Sequence, residues 1–209
     1  MRNFDTTLDL CNNNIPQITD ARLEELEKLA ALISKNLSVN NNARVVFICT
    51  HNSRRSQLAE VWFRYACKIN NIENISIYSA GTEATAFNER MVNALIDAGF
   101  KVNLVRADKN PKYNIYTRVI DNSSVLFSKT YDDSTIPQKE IIAVMVCDDA
   151  AENCPHIPHA THRIRLSYKD PKHSDNTMSE KEVYSKKVIE IGSEMLHLVT
   201  LLDKKSDLI

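Results

Sequence analysis

Apolar and polar positions along this chain recur with two periods, and their order predicts the architecture. Val45-Val46-Phe47-Ile48 is apolar at every position, which reads as a strand over Arg44–Cys49 buried on both faces. After a polar loop, Leu58, Val61, Trp62, Tyr65 and Ile69 recur at three- and four-residue spacing, the buried stripe of a helix from about Ser53 to Asn70. A second strand, Ile75–Ala80, is followed by a helix from about Asn88 to Ala98, with Met91, Val92, Leu95 and Ile96 inside and Gly99 as its stop. Two βα units in a row predict a parallel sheet with right-handed crossovers. Ile141–Cys147 reads as an interior strand and Arg163–Ser167 as a short one. The last helix opens on Ser179-Glu180-Lys181-Glu182, a capping box, and repeats Tyr184, Val188, Ile191, Met195, Leu198 and Leu202 at 4-3-4-3-4 spacing.

The remaining segments are less regular. Over 102–137, Tyr113–Val119 and Ser124–Lys129 fit a hairpin turning at Asp121-Asn122. Residues 1–42 read as an N-terminal helical extension and linker before a domain over 43–209. Their helix, Asp20 to Leu37, is capped by Thr19 or Asp20, carries Leu23, Leu26, Ala30, Ile33 and Leu37, and runs into an Asn40-Asn41-Asn42 linker. That stripe needs a covering surface, from its own domain or from a second copy of the chain, so a homodimer is one expectation. The fold class is α/β: a four-stranded parallel doubly wound sheet with an N-terminal helical extension.

Composition narrows the function classes. The chain's 209 residues carry a formal net charge of −1, which gives no field for nucleic acid and no polybasic run for a membrane surface. No stretch reaches the roughly 20 apolar residues of a membrane span, and the first residues lack a signal-peptide core. Only 3 glycines are present, with neither a dinucleotide fingerprint nor a Walker loop, so the reading calls for no cofactor. Five cysteines without a signal argue for reduced thiols in a cytoplasmic protein rather than a secreted disulfide framework.

The chemistry gathers at Cys49-Thr50-His51-Asn52-Ser53-Arg54-Arg55-Ser56, where a strand ends on a cysteine and an arginine follows six residues later, then a serine. A loop over Thr50, His51, Asn52, Ser53 and Arg54 can curl so that successive amides point inward and cradle a tetrahedral oxyanion. Arg55 adds a planar fork for two anion oxygens. Amides, helix start and guanidinium all favour Cys49 as a thiolate, and a thiolate facing a bound anion is half of a displacement reaction. Cys147 ends another core strand, and functional groups of open parallel sheets collect at such ends; Cys154 lies seven residues on, in a loop. Three thiols able to meet in series suggest a relay. Two incidental cysteines, or a metal site of Cys147 and Cys154 with His156, His159 and His162, are the alternatives, although the spacing fits no standard zinc pattern. Asp170-Pro171 follows the last short strand and reads either as a simple turn or as a carboxylic acid on a stiffened loop, able to give a leaving oxygen its proton.

From about Arg44 to Lys204, these elements in this order resemble the low-molecular-weight protein tyrosine phosphatase superfamily, and within it the thioredoxin-coupled arsenate reductases. Ala59-Glu60 and Tyr78-Ser79-Ala80-Gly81-Thr82 also look like family segments. The resemblance implies that Cys49 attacks arsenate held by loop amides and Arg55, that Ser56 stabilises the Cys49 thiolate, and that Asp170 protonates the leaving oxygen. It implies that Cys147 attacks the Cys49 adduct, that Cys154 resolves the disulfide, and that thioredoxin reduces Cys147–Cys154. Some such reductases bind potassium near the loop, where Asn52, Glu60 and Ser79 would be the ligands. His51 stands at a family glycine, where a side chain restricts φ > 0, and Arg54 stands at a family cysteine, adding a charge expected at the loop rim. The expected activity is arsenate reduction. A phosphatase acting on phosphotyrosine or aryl phosphates needs only Cys49, Arg55 and Asp170, although Lys172 and His173 stand where such phosphatases often carry aromatics. A non-catalytic anion-binding or redox-sensing protein is the third reading, motivated by His51 and Arg54. The expected partners are phosphate, arsenate or a similar oxyanion, and thioredoxin.

Overall fold

A computed structural model describes residues 2–119, 125–148, 150, 157 and 159–206, the last four by backbone alone. The fully apolar run forms β1 (Ala43–Cys49) at the centre of a parallel sheet. β2 (Ile75–Gly81) lies on one side of it; β6 (Ile141–Met145), then β7 (Ala160–Arg165), lie on the other. The order β2-β1-β6-β7 places a topological switch point at β1, and the carboxyl ends of β1 and β6 open side by side into the crevice where such sheets bind ligands. The sheet is the expected four-stranded parallel one. Val45 to Ile48 and Ile142 to Val144 are fully buried, as strands covered on both faces must be.

Helices α3 (Arg55–Ile69), α4 (Glu89–Asp97) and α5 (Glu180–Ser206) follow the sequence stripes. Leu58, Val61, Trp62 and Tyr65 are buried, but Ile69 is 39% exposed because the last turn of α3 runs past the sheet. All six apolar repeats of α5 are buried. Gly192 of α5 lets the helices close up: a Cβ there would lie 2.7 Å from Trp62 and 2.8 Å from the Cys11 sulfur.

The N-terminal segment packs on its own domain. α1 (Phe4–Asn14) was not in the sequence reading; its Phe4 ring meets Trp62, Tyr65 and Phe100, and Thr7 donates to the Ala98 carbonyl at 2.8 Å. Burial among these helices pushes the Cys11 thiol up to about 12, which suits a packing group. α2 (Asp20–Asn40), capped by Thr19, buries Leu26, Leu29, Ala30 and Ile33 in the same core. Asn40 to Asn42 form a tight corner rather than a linker: Asn41 adopts a left-handed cap (φ 50°), and β1 begins at Ala43.

The irregular region forms a second, antiparallel sheet: β3 (Lys101–Arg106), β4 (Lys112–Tyr116) and β5 (Val125–Leu126). β4 and β5 pair as the expected hairpin, the turn at Asp121-Asn122 lies outside the described residues, and β3 is an additional edge strand. β7 begins three residues before the expected strand and ends at Arg165. Among the described residues no helix is long and apolar enough to cross a membrane.

Candidate active site

The loop from Cys49 to Arg55 is held open by its carbonyls. Thr82 N–H donates to Cys49 O (3.2 Å), Glu83 N–H to Thr50 O (2.8 Å), Ser128 Oγ to His51 O (2.8 Å), Gln57 Nε2 to Asn52 O (3.1 Å), and Asn88 N–H to Ser53 O (2.9 Å). A trans peptide points its C=O and N–H in opposite directions. Five carbonyls pinned outward therefore turn the loop amides toward its concave side, the geometry an oxyanion cradle requires. The left-handed residue is Asn52 (φ 45°), a type that tolerates this region, and His51 is not among the positive-φ residues. The strain expected at His51 is thus absent.

Asn52 also supports the nucleophile. Its Nδ2 donates to Ser56 Oγ at 2.8 Å, and Ser56 Oγ lies 3.1 Å from the Cys49 sulfur. With its lone pair taken by Asn52, the Ser56 hydroxyl has its proton left for a Cys49 thiolate. Asn52, Ser56 and Cys49 are all buried, and Asn52 Oδ1 accepts from Lys129 N–H (3.0 Å) and Gln57 Nε2 (3.2 Å), which fixes the amide orientation.

Arg55 opens α3 and faces the segment after β7. Its Nη1 donates to Tyr168 O (2.9 Å) and its Nη2 to Asp170 Oδ2 (2.6 Å), while its buried Nε has no hydrogen-bond partner and remains a donor for an anion. Asp170 caps the short 3-10 turn Pro171–Ser174 by accepting from Lys172 N–H at 2.9 Å. Nucleophile loop, guanidinium and carboxyl group therefore share one crevice.

Arg54 lines a groove beside the loop, and its charge is paired. Its Nε donates to Tyr184 Oη (2.8 Å) and its Nη2 to Asp175 (3.2 Å), and Tyr184 Oη donates to the same carboxylate (2.7 Å). Burial and the Asp175 bond push the Tyr184 phenol up to about 12, so it stays a donor. This pairing ties the loop to α5.

Cys147 follows β6, fully buried beside the crevice. Its sulfur lies 3.6 Å from Thr50 Oγ1, on the residue after Cys49, and accepts from Ala150 N–H at 3.3 Å. Cys154 and His156 lie outside the described residues, among which no cluster of His, Cys, Asp or Glu could hold a metal. For a potassium ion, Glu60 Oε2 and Ser79 Oγ offer two buried oxygens without hydrogen-bond partners. Asn52 Oδ1 is committed to two donors, Glu60 Oε1 takes Arg64 at 2.6 Å, and the buried Lys129 ammonium already feels the Glu60 charge while burial lowers its own pKa. Of the three residues expected to hold the ion, two unpaired side-chain oxygens therefore remain, those of Glu60 and Ser79.

Comparison with known proteins agrees with this geometry. Residues 44–116 match the model of the low molecular weight phosphotyrosine protein phosphatase family. Arsenate reductase 2 of Staphylococcus saprophyticus is 30% identical over 127 residues, 61% of this chain and 77% of that one. The chain belongs to this phosphatase family. Another relative, the arsenate reductase of Bacillus subtilis (strain 168), is 29% identical over 155 residues, covering 74% of this chain and 93% of the relative. The crystal structure of a low molecular weight phosphotyrosine phosphatase from Vibrio cholerae O395 superimposes with a TM-score of 0.54 at 18% identity, over 78% of this chain and 99% of that one, and shares the fold. The protein is an enzyme of the arsenate reductase or phosphatase type.

The sequence missed two parts of this site. Gly81, noted only as a family segment, lets β2 touch the loop. The groove that Arg54 lines, of about 680 Å³, runs beside His51 and Ser53 and is lined by Phe87 and Tyr113, whose rings meet edge to face, and by Lys109 and Lys172. Tyr113 reaches it from β4, and no local motif signals that.

Proposed function

We propose that the protein reduces arsenate to arsenite through a thiol relay from Cys49 to Cys147 and then Cys154. The carrying observation is the Cys147 sulfur, buried 3.6 Å from Thr50 Oγ1 at the edge of the nucleophile loop, where phosphate ester hydrolysis has no use for a thiol. An arriving oxyanion takes the loop amides and the free Nε of Arg55, loosening the Arg55–Asp170 pair. The Cys49 thiolate attacks arsenic, the bond to the leaving oxygen breaks, and Asp170 supplies the proton with which that oxygen departs as water. The Cys147 thiolate then attacks the Cys49 sulfur. An S–S bond forms, the S–As bond breaks, and its electron pair stays on arsenic, which leaves as arsenite. Cys154 attacks the Cys147 sulfur and frees Cys49, and an external dithiol of the thioredoxin type reduces the remaining disulfide.

A second reading, hydrolysis of aryl phosphates or phosphotyrosine through a phosphocysteine, draws on the groove walled by Phe87 and Tyr113 and uses the same first step. The deciding experiment is NADPH oxidation with arsenate, thioredoxin and thioredoxin reductase, beside an aryl-phosphate assay. Cys147→Ser is expected to abolish arsenate turnover and to keep aryl-phosphate hydrolysis within about threefold, since it removes a resolving thiol and not the nucleophile. Arsenate turnover that survives in Cys147→Ser refutes the relay, and aryl-phosphate hydrolysis without arsenate turnover in the wild type leaves the phosphatase.

A further inference from the structure

The segment that carries Asp170 has no regular secondary structure from Leu166 to Asp170; two backbone bonds, Leu166 N–H to Met145 O (2.9 Å) and Tyr168 N–H to Val146 O (3.1 Å), tie its start to the end of β6, and side chains packed against it hold the rest. One of these comes from far away. Arg22, on the N-terminal helix α2, donates through Nη2 to the carbonyl of Ser167 and through Nη1 to Glu25 (2.7 Å), and pairs through Nε with Glu194 Oε1 at 3.2 Å. Its guanidinium lies over the Tyr168 ring, 5.0 Å from the centroid. The Tyr168 hydroxyl donates to the other Glu194 oxygen at 2.6 Å. Tyr168 is 2% and Glu194 5% exposed, so this is a packed core unit. The unit ends at the site: the next carbonyl, Tyr168 O, accepts from Arg55 Nη1, and Asp170 two residues later accepts from Arg55 Nη2.

We propose that Arg22 is a positioning residue for the reaction, holding the Ser167–Asp170 segment, through Ser167 O and the Glu194–Tyr168 pair, at the height where Arg55 and Asp170 meet the oxyanion. The N-terminal helices, which precede the family-matched residues 44–116, thereby take part in the site. The geometry asks for a guanidinium: its planar fork serves a carbonyl and two carboxylates at once while stacking on a ring, which one ammonium point cannot do. Release of the clamp shifts Asp170 more than it shifts Cys49, because the loop is held separately by the carbonyl bonds described above.

The inference rests on Asp170 as the proton donor of the proposed function, and the test separates the two. The readout is kcat/KM, which reports formation of the phosphocysteine, for aryl phosphates whose leaving groups span pKa values of about 7 to 10. Protonation matters most for the poorest leaving group. Arg22→Gln is expected to lower kcat/KM about tenfold for phenyl phosphate and less than about threefold for a nitro-activated ester, steepening the leaving-group dependence. Tyr168→Phe is expected to move the same way by less, and Arg22→Lys not to rescue. Combined with Asp170→Asn, Arg22→Gln is expected to add no further loss. The double variant Arg22→Gln/Glu194→Gln removes both charges of the pair and supplies the same readout should the single variant fail to fold. An equal loss on every ester, an unchanged slope, or losses that multiply with Asp170→Asn overturn the positioning role. If Asp170→Asn itself leaves the slope unchanged, the fault lies with the proton donor. If the wild-type protein hydrolyses no aryl phosphate, kcat/KM for arsenate is the readout: Arg22→Gln is expected to lower it about tenfold and to add nothing to the loss in Asp170→Asn, and a value within about threefold of wild type overturns the positioning role.

Discussion

Replacing Gly81 with alanine tests whether the nucleophile loop is held in shape by contact with β2. A Cβ at Gly81 would lie 2.4 Å from Glu83 O and 2.7 Å from both Asn52 N and Thr50 O, where ordinary contact begins at 3.4 Å. All three neighbours are backbone, so no rotamer change relieves the clash, and clearance requires about 1 Å of backbone movement. The end of β2 cannot retreat, because Gly81 N–H donates to Lys129 O (2.8 Å) and Gly81 O accepts from Tyr131 N–H (3.1 Å). Glu83 and the loop at Thr50 and Asn52 must therefore give way; the Glu83 N–H bond to Thr50 O carries the shift into the loop, and Asn52 supports Ser56. Misplacement by about 1 Å costs up to about 100-fold in rate, near 3 kcal/mol of transition-state stabilisation. Overpacking costs about 1–3 kcal/mol of stability, a fall in Tm on the order of 5 °C for a chain of this size. Steady-state kinetics on an aryl phosphate and on arsenate, beside a thermal melt, give both numbers. Gly192→Ala is the control: its Cβ would strike Trp62 and the Cys11 sulfur, remote from the loop, and is expected to lower Tm while kcat changes less than about threefold. Gly81→Ala with a rate within threefold of wild type would refute the reasoning, as would equal rate losses in the two variants.

Burial pushes the Glu194 carboxyl up from 4.5 to about 7, with Arg22 pulling the other way. Between these values the native state keeps a proton that the unfolded chain has released, so this group's contribution to stability falls as pH rises from about 4.5 to 7. At about 1.4 kcal/mol per pH unit the loss is at most about 3 kcal/mol. Denaturant midpoints at pH 5 and 8 are expected to converge in Glu194→Gln, and a wild-type difference that persists in the variant contradicts the assignment. We propose that the buried Lys129 ammonium, which feels the Glu60 charge, takes the place of an added monovalent cation. Turnover is expected to agree within about twofold in potassium, sodium and choline chloride at equal ionic strength, and a potassium-specific rise above threefold would show that the buried lysine does not fill that role.

What the sequence disclosed and what it hid divide along one physical line. β1, β6, α3 and α5 were legible because β1 and β6 are buried along almost their whole length and each helix presents a long buried stripe, so the hydrophobic period is continuous. β3 was not: its residues are mostly exposed, Leu104 at 55% and Val105 at 52%, and an edge strand of a small sheet leaves no alternation to read. The signal for α1 was present, with Phe4, Leu8, Cys11 and Ile15 at 4-3-4 spacing, but it sits in a polar, asparagine-rich segment. The site follows the same division. Cys49, Ser56 and Arg55 lie within eight residues, where spacing on a loop and the first helical turn fixes who can meet whom. The bond from Arg22 to Ser167 spans 145 residues, and that from Arg54 to Tyr184 spans 130, separations at which neither periodicity nor motif carries information. Such links join pieces that each look ordinary: an arginine on an amphipathic helix, a tyrosine after a strand, a glutamate in a long apolar helix. Their chemistry appears only when the core brings them together out of water, where a guanidinium must find carboxylates and carbonyls or not be buried at all. For that reason the groups proposed to bond the oxyanion were named from a local motif, while the groups that hold them in place could be named only from the fold.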